Sequence, residues 1–194
     1  MSRTKRHSFT PAVSVPGFAP PNGSFWLFAY GSLMWAPAFR YQERCQAVLD
    51  GYHRALCVYS WVYRGTEASP GLVFGLDRGG INKGIAYRIR AIDAKAVYEA
   101  VHAREMVTAV YRPAWVRCRL PGTGRAAVTA LTYIANPSHR QYAGRLSDKM
   151  SLDLVQSGAG CAGPCTDYIE STADHLRALG IRDLALERIV RRLG

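Results

Sequence analysis

Seven short segments with the composition of β-strands follow one another between residues 25 and 134. They are rich in Val, Ile, Tyr, Trp and Phe and are separated by Gly, Pro and Asp. The predicted strands cover residues 25–30, 46–51, 53–63, 71–77, 82–90, 114–120 and 126–134. Many short strands in so little chain favour a small barrel or a strongly curved sheet.

Three helices are predicted around these strands. Asp93 is a suitable N-cap for a first helix that runs to about Glu105. A second helix covers about 166–179 and ends at Gly180, and a third starts at Asp183. The predicted fold class is therefore α+β, a small β-barrel or curved mixed sheet flanked by helices.

The first 23 residues have a different composition. Basic residues come first, and prolines and glycines follow, which is a mixture that does not form a packed element. We predict a disordered or loosely packed N-terminal tail over residues 1–23 and one domain over residues 24–194, a length that suits a single domain.

The formal net charge is +11, from 25 basic and 14 acidic side chains. The arginines are spread along the chain, and no basic stripe carries interleaved aromatic residues, so nucleic-acid binding is not predicted. The charge suits an acidic small molecule. No apolar run reaches the roughly 18 residues of a membrane helix, so no membrane partner is predicted.

The cysteines and histidines predict neither disulfides nor a metal site. The five cysteines are an odd number, and no His or Cys pair has the spacing typical of metal ligands. We therefore expect no metal, and a reducing, cytoplasmic setting.

The first predicted strand, an apolar run from Phe25 to Ala29, stops abruptly at Tyr30-Gly31-Ser32-Leu33. Glycine lets the backbone turn with positive φ and lets a ligand approach bare N–H groups. This corner is a candidate for binding an anion or an oxyanion, and the alternative is an ordinary turn.

Glu105 is the candidate general acid–base residue. It lies at the predicted carboxyl end of a helix, where backbone carbonyls disfavour a carboxylate, and burial would also raise its pKa. The alternative is a solvated surface glutamate. Four apolar or aromatic residues follow it closely and favour burial: Met106, Val107, Val110 and Tyr111.

Further polar residues are candidates for the same site, with a structural role as the alternative. Arg54 and Arg64 lie in the strand-rich part of the chain, and Tyr111 and Tyr142 carry hydroxyls suited to meeting a ligand. Ser32 does not lie in a Gly-x-Ser-x-Gly motif, so a serine-hydrolase triad is not predicted.

Together these motifs resemble the ChaC-like γ-glutamylcyclotransferases. The most specific pair is Tyr-Gly-Ser-Leu at residues 30–33 followed downstream by Arg104-Glu105-Met106. The resemblance covers residues 25–193 and includes these further segments: 51–54, 63–66, 68–73, 84–88, 111–113, 139–144 and 167–169.

The resemblance implies a small β-barrel flanked by helices, with the Tyr-Gly-Ser-Leu loop forming the substrate pocket and the family's catalytic glutamate at Glu105. It implies conversion of a γ-glutamyl peptide, characteristically glutathione, into 5-oxoproline and a free amine such as Cys-Gly, without a cofactor. The expected substrate-binding residues are Tyr30, Gly31, Ser32, Leu33, Arg54, Arg64, Tyr111 and Tyr142.

Three features depart from the family pattern. Cys165 stands where family members often carry asparagine, and Ala109-Val110 precede Tyr111 where a glycine is usual. Residues 58–62 are more aromatic than the matching segment of glutathione-degrading members. The preferred leaving amine stays open, as does the oligomeric state. A cyclotransferase for γ-glutamylamines or other γ-glutamyl amides, and a non-catalytic small-molecule binding module, are the alternatives.

Overall fold

The structure, a computed structural model, describes residues 19, 21–125 and 127–194. Most of the tail predicted over residues 1–23 lies outside the described residues. These residues contain seven strands: β1 (Phe25–Ala29), β2 (Glu43–Ser60), β3 (Gly71–Ile89), β4 (Tyr111–Arg119), β5 (Val128–Ala135) and the short pair β6 (Ala159–Gly160) and β7 (Gly163–Pro164). The helices are α1 (Ala91–Glu105), α2 (Asp148–Ser157), α3 (Cys165–Ala178) and α4 (Leu184–Leu193).

The first five strands form a closed barrel in the order β1-β3-β2-β4-β5. β1 closes it, because it pairs antiparallel with β3 on one side and parallel with β5 on the other. Several apolar side chains of β1 and β5, including Leu27, Phe28 and Leu131, are almost completely buried. The predicted α+β fold, a small barrel with flanking helices, is confirmed.

The predicted division of the longest strands was wrong. Residues 46–51 and 53–63 were expected as two strands, but 46–60 lie in the single strand β2, and 61–63 lie outside it. Residues 71–77 and 82–90 were also expected as two strands, but 71–89 form the single strand β3. Gly51 has a φ of 84°, and the pairing of β2 with β3 shifts register between Asp50 and Tyr52. Gly51 therefore marks a β-bulge, which bends a strand without ending it.

The helices also differ from the prediction in two places. α1 begins at Ala91 with Arg90 as its N-cap, so Asp93 is not the cap and instead accepts a hydrogen bond from Arg90 Nε at 2.8 Å. α2 was not predicted, although Ser147 caps it by accepting the N–H of Met150. The predicted cap of α4 at Asp183 is confirmed, since its carboxylate accepts the N–H of Leu186.

No helix among the described residues combines the length and the apolar character needed to cross a membrane.

The segment between α1 and β4 joins Glu105 to Tyr111 and contains a left-handed residue. Ala109 has a φ of 57°, and its N–H donates to the carbonyl of Met106 at 3.1 Å. This is the position where the sequence departs from a usual glycine. An L-residue other than glycine is disfavoured in this conformation by about 1–2 kcal/mol.

Ala109→Gly should stabilise the protein. The gain from relieving the left-handed alanine exceeds the extra chain entropy of glycine, about 0.4–1 kcal/mol, so we expect the free energy of unfolding to rise by about 0.5–1 kcal/mol. Urea denaturation measures it. Ala96→Gly, on the exposed side of α1, is the control and should lower stability by about 1 kcal/mol. Equal losses in both variants would contradict the expectation.

Candidate functional site

A cavity of about 530 Å³ opens at one end of the barrel. The strand directions explain its place: β1, β2 and β5 end there, while the antiparallel strands β3 and β4 begin there. The last turn of α1, the 3-10 turn Ser32–Met34 and Tyr168 of α3 also contribute to the lining. The volume lies in the range of small-molecule sites.

The turn after β1 presents its backbone to this cavity, and the residues Tyr30, Gly31, Ser32 and Leu33 all line it. The first N–H groups of a helical turn have no partner within the turn, which leaves those of Ser32 and Leu33 for a ligand. The positive φ expected for Gly31 was wrong, because its φ is −128°. Glycine is needed here for close approach, since a Cβ would lie 3.3 Å from the hydroxyl of Tyr168.

Arg104 fastens this turn to the end of α1. Its guanidinium donates to Ser32 Oγ at 2.8 Å and to the carbonyl of Ala36 at 3.0 Å. In the sequence, Arg104 stands out only as the neighbour of Glu105. Its function is to hold the turn against the helix end that carries the carboxylate.

Glu105 is the last residue of α1 and lines the cavity, as predicted for a helix carboxyl end. Its side chain is only 17% exposed, so it is not a solvated surface glutamate. Burial raises the pKa of the carboxyl group. Arg104, with Nε 3.8 Å from Oε1, opposes this rise without cancelling it. The result is a carboxyl group suited to taking up and releasing a proton.

Tyrosine hydroxyls surround this carboxyl group. Burial raises the pKa of each, and the negative charge of Glu105 adds to the rise. They therefore stay protonated and act as neutral hydrogen-bonding groups. The five tyrosines are Tyr30, Tyr63, Tyr111, Tyr133 and Tyr168, all of which line the cavity.

The hydroxyl protons of three of these tyrosines are already committed. Tyr63 donates to the carbonyl of Arg104 at 3.4 Å. Tyr30 donates to the carbonyl of Tyr133 at 2.8 Å, and Tyr111 donates to the carbonyl of Phe74 at 2.7 Å. Tyr168 is different, because its hydroxyl oxygen accepts the N–H of Phe74 at 3.2 Å. Tyr111 is thus at the cavity as predicted, with its oxygen available only as an acceptor.

Arg64 lies at the cavity as predicted. Its Nη1 donates to the carbonyl of Pro164 at 2.9 Å, and the guanidinium lies over the ring of Tyr168, 5.7 Å from the centroid. Arg64 belongs to the loop after β2. Tyr59, near the end of β2, and Trp61 and Tyr63 of the loop form an aromatic wall of the cavity.

Close backbone contacts hold this loop in place. A Cβ on Gly65 would lie 2.1 Å from the nitrogen of Gly71, and a Cβ on Gly158 would lie 2.4 Å from the Cα of Gly71. The N–H of Cys161 also donates to the carbonyl of Val62 at 2.9 Å. Because backbone packs directly on backbone here, the aromatic wall is fixed by the segment around β6.

Arg54 was predicted to bind substrate, and the structure does not place it at the cavity. Its side chain is buried and donates to the carbonyls of Tyr30 at 2.6 Å and Lys83 at 2.8 Å, and to Asp183 at 2.9 Å. Its donors are taken up by the protein itself. Arg54 therefore supports the turn from behind, through the carbonyl of Tyr30.

Tyr142 was also predicted at the site and does not line the cavity. Its hydroxyl donates to Asp77 at 2.8 Å, and its backbone forms a bridge with Val58 of β2. The neighbouring side chain, Gln141, lines the cavity instead and donates to the carbonyl of Tyr59 at 2.7 Å. The two residues lie at the end of a turn, where Tyr142 forms an isolated bridge, and sequence alone does not reveal which of two adjacent side chains faces the cavity.

Among the described residues, no group of three His, Cys, Asp or Glu side chains is arranged to hold a metal ion.

Comparisons with known proteins agree with this geometry. A model of the ChaC-like protein family matches residues 25–193. The chain is 33% identical to the glutathione-specific γ-glutamylcyclotransferase of Escherichia coli (strain K12), over 88% of this chain and 73% of that protein. It is 30% identical to glutathione-specific γ-glutamylcyclotransferase 1 of Mus musculus, over 98% of this chain and 92% of that protein.

The fold has a close counterpart among solved structures. A γ-glutamyl cyclotransferase specific to glutathione from yeast superimposes with a TM-score of 0.80 at 20% identity, over 88% of this chain and 95% of that one.

Glu105→Gln should change how stability depends on pH. In wild type the folded carboxyl has a raised pKa, so the folded state binds its proton more tightly than the unfolded state. The free energy of unfolding must therefore fall as pH rises from the ordinary carboxyl pKa through the raised one. The glutamine variant lacks this loss and should be more stable than wild type at pH 7.

Urea midpoints measured between pH 4 and pH 8 test this expectation. Glu99→Gln, an exposed position of the same helix, is the control and should follow the wild-type curve. A stability gap between wild type and Glu105→Gln that does not widen with pH would contradict burial of the carboxylate.

Arg54→Met should destabilise the protein by about 3–5 kcal/mol, because it leaves Asp183 and two backbone carbonyls without their buried donor. Urea denaturation measures the loss. Arg119→Met is the control, since Arg119 and Asp50 form an exposed ion pair whose removal should change stability little. If Arg54→Met kept wild-type stability but bound substrate poorly, Arg54 would be a substrate-binding residue as predicted.

Proposed function

The chain belongs to the ChaC-like family, and we propose that it is a γ-glutamylcyclotransferase that converts glutathione, a γ-glutamyl peptide, into 5-oxoproline and Cys-Gly. The observation that carries the proposal is the buried carboxyl of Glu105 in a cavity shared with the turn at Gly31, Ser32 and Leu33. The names of the relatives support both the reaction and the substrate.

The reaction needs no nucleophile from the protein. The α-amine of the glutamyl group attacks its own γ-carbonyl carbon, a new C–N bond closes a five-membered ring, and the original amide C–N bond breaks. The protein has to fold the glutamyl chain so that these atoms meet, and well-oriented intramolecular reactions reach effective molarities of about 10⁵ M or more.

Proton transfers accompany the ring closure, and Glu105 is the group that carries them. The α-nitrogen starts as an ammonium and ends as the ring N–H, so it loses two protons, one before it attacks and one after the new C–N bond has formed. The leaving nitrogen starts as an amide N–H and ends as the ammonium group of Cys-Gly, so it gains two. A carboxyl group with a raised pKa accepts each proton from the first nitrogen and passes it to the second.

The turn after β1 suits the negative charges of the substrate. The N–H groups of Ser32 and Leu33 are free of partners within the turn, and Arg104 lies directly beside it. Backbone donors of this kind stabilise a carboxylate or a developing oxyanion. Arg64 adds a cation on the side of the aromatic wall, where it suits the carboxylate of a leaving peptide.

The alternatives are weaker on the same observations. A γ-glutamylamine would use the same chemistry, but its leaving group carries no carboxylate for Arg64. A non-catalytic module that binds an acidic ligand gains nothing from a buried carboxylate in its cavity, because like charges repel.

We also propose a reducing compartment such as the cytoplasm. All five cysteines are free, and Cys57, Cys118 and Cys165 are buried as thiols. Burial raises the pKa of Cys57 and Cys118 to about 12, so these two thiols stay protonated.

The decisive experiment measures 5-oxoproline released from glutathione, γ-glutamylcysteine and a γ-glutamylamine by wild type and Glu105→Gln. Wild type should prefer glutathione, and the variant should lose about 10²-fold or more in kcat because it cannot transfer protons. Glu99→Gln, exposed on the same helix, should keep wild-type turnover.

Absence of 5-oxoproline with every substrate would reject the cyclotransferase. Release of 5-oxoproline only from the γ-glutamylamine would make that compound the substrate in place of glutathione. Undiminished turnover by Glu105→Gln would reject Glu105 as the proton carrier.

A further inference from the structure

Tyr168 lies next to the turn after β1 and lines the cavity that also holds the carboxyl group of Glu105. It lies on α3, and its side chain reaches across the cavity end of the barrel to the backbone of β3. Its hydroxyl lies 3.3 Å from the point where a side chain on Gly31 would begin. The Tyr168 oxygen and the free N–H groups of the turn therefore border the same corner of the cavity.

The hydrogen-bonding pattern leaves the Tyr168 proton uncommitted. The N–H of Phe74 donates to the hydroxyl oxygen at 3.2 Å, which fixes where the oxygen sits and occupies one of its lone pairs. Within the part of the chain that the structure describes, no acceptor is placed to receive the hydroxyl proton. The hydroxyls of Tyr30 and Tyr111, by contrast, donate to main-chain carbonyls.

The Tyr168 hydroxyl remains a neutral hydrogen-bond donor. Burial raises the pKa of Tyr168, the hydrogen bond from the Phe74 N–H opposes the rise, and the negative charge of Glu105 adds to it, so the phenol keeps its proton at neutral pH. The ring is held by Arg64 over one face and by Phe74 5.7 Å away, centroid to centroid. A donor fixed in this way needs no rearrangement when charge develops on a substrate atom.

We infer that Tyr168 is a further catalytic residue, whose hydroxyl donates a hydrogen bond to the γ-carbonyl oxygen of the substrate as that oxygen becomes negatively charged. This inference rests on the proposed cyclotransferase function. The corner next to Gly31 becomes a three-donor site made of one phenol and the N–H groups of Ser32 and Leu33.

The γ-carbonyl oxygen suits this position better than the α-carboxylate does. Glu105 exchanges protons with both nitrogens bonded to the γ-carbon, so that carbon must lie near Glu105. The Tyr168 hydroxyl is close enough to Glu105 to sense its charge. The α-carboxylate, which is negative throughout, is repelled by Glu105 and favours the side of the turn that Arg104 holds.

Tyr168→Phe tests the inference on the full chain with glutathione. A donor that acts on the developing oxyanion should cost about 10²-fold in kcat when it is lost, while KM changes less than about threefold. Tyr142→Phe is the matched control, because it removes a tyrosine hydroxyl bonded to Asp77 away from the cavity and should keep wild-type kcat. Unchanged kcat in Tyr168→Phe, or a loss confined to KM, would overturn the inference.

A second variant separates catalysis from folding, because phenylalanine also removes the acceptor of the Phe74 N–H. O-methyltyrosine at position 168 keeps the oxygen for Phe74 and replaces the hydroxyl proton with a methyl group, so it cannot donate a hydrogen bond. It should lose kcat as Tyr168→Phe does while its thermal midpoint stays near that of wild type. Wild-type kcat in this variant would overturn the inference. Failure of wild type to release 5-oxoproline would instead reject the proposed function.

Discussion

Closure of the barrel by β1 is the constraint on which the site depends. β1 pairs in opposite senses with its two neighbours, antiparallel to β3 and parallel to β5, and so completes the ring. The ring brings together, at one end, the carboxyl ends of β1, β2 and β5 and the amino ends of β3 and β4. Residues far apart in sequence, such as Tyr30, Phe74 and Tyr111, thereby meet around one cavity. A barrel this small fills its interior with side chains, which leaves the open end as the place for a ligand.

The site holds a carboxyl group where neither the helix nor the surroundings favour its ionised form. The carboxyl end of α1 is electronegative, and the neighbouring groups are mostly aromatic rings with neutral hydroxyls. Arg104 is the exception, and two of its nitrogens bind Ser32 and the backbone of Ala36 rather than Glu105. The cation thus anchors the turn while only partly compensating the carboxylate. This arrangement costs folding stability, as is common where a functional site holds a group with a perturbed pKa.

Sequence patterns identified the groups that carry a local signal and missed those defined by long-range contacts. Glu105 was predictable because apolar residues follow a helix end, and the strand composition indicated the barrel. Gly51 was misinterpreted because a bulge and a turn both call for glycine. Arg54 was misplaced because a buried arginine bonded to carbonyls has the same sequence signature as one that faces a ligand. Tyr168 lies 94 residues from the Phe74 N–H that orients it, and no local pattern records such a contact. α2 was missed because few of its side chains are buried, which leaves little apolar periodicity to detect.

The two carboxylate oxygens of Asp183 connect α4 to the turn after β1. One oxygen caps α4 through the N–H of Leu186, and the other receives Arg54, which in turn holds the carbonyl of Tyr30. The docking of α4 and the shape of the turn after β1 therefore share a single carboxylate. Fraying of α4 would therefore displace the guanidinium of Arg54 and, through it, the turn beside Gly31. A change at the surface of the molecule would in this way weaken the binding of a ligand in the cavity.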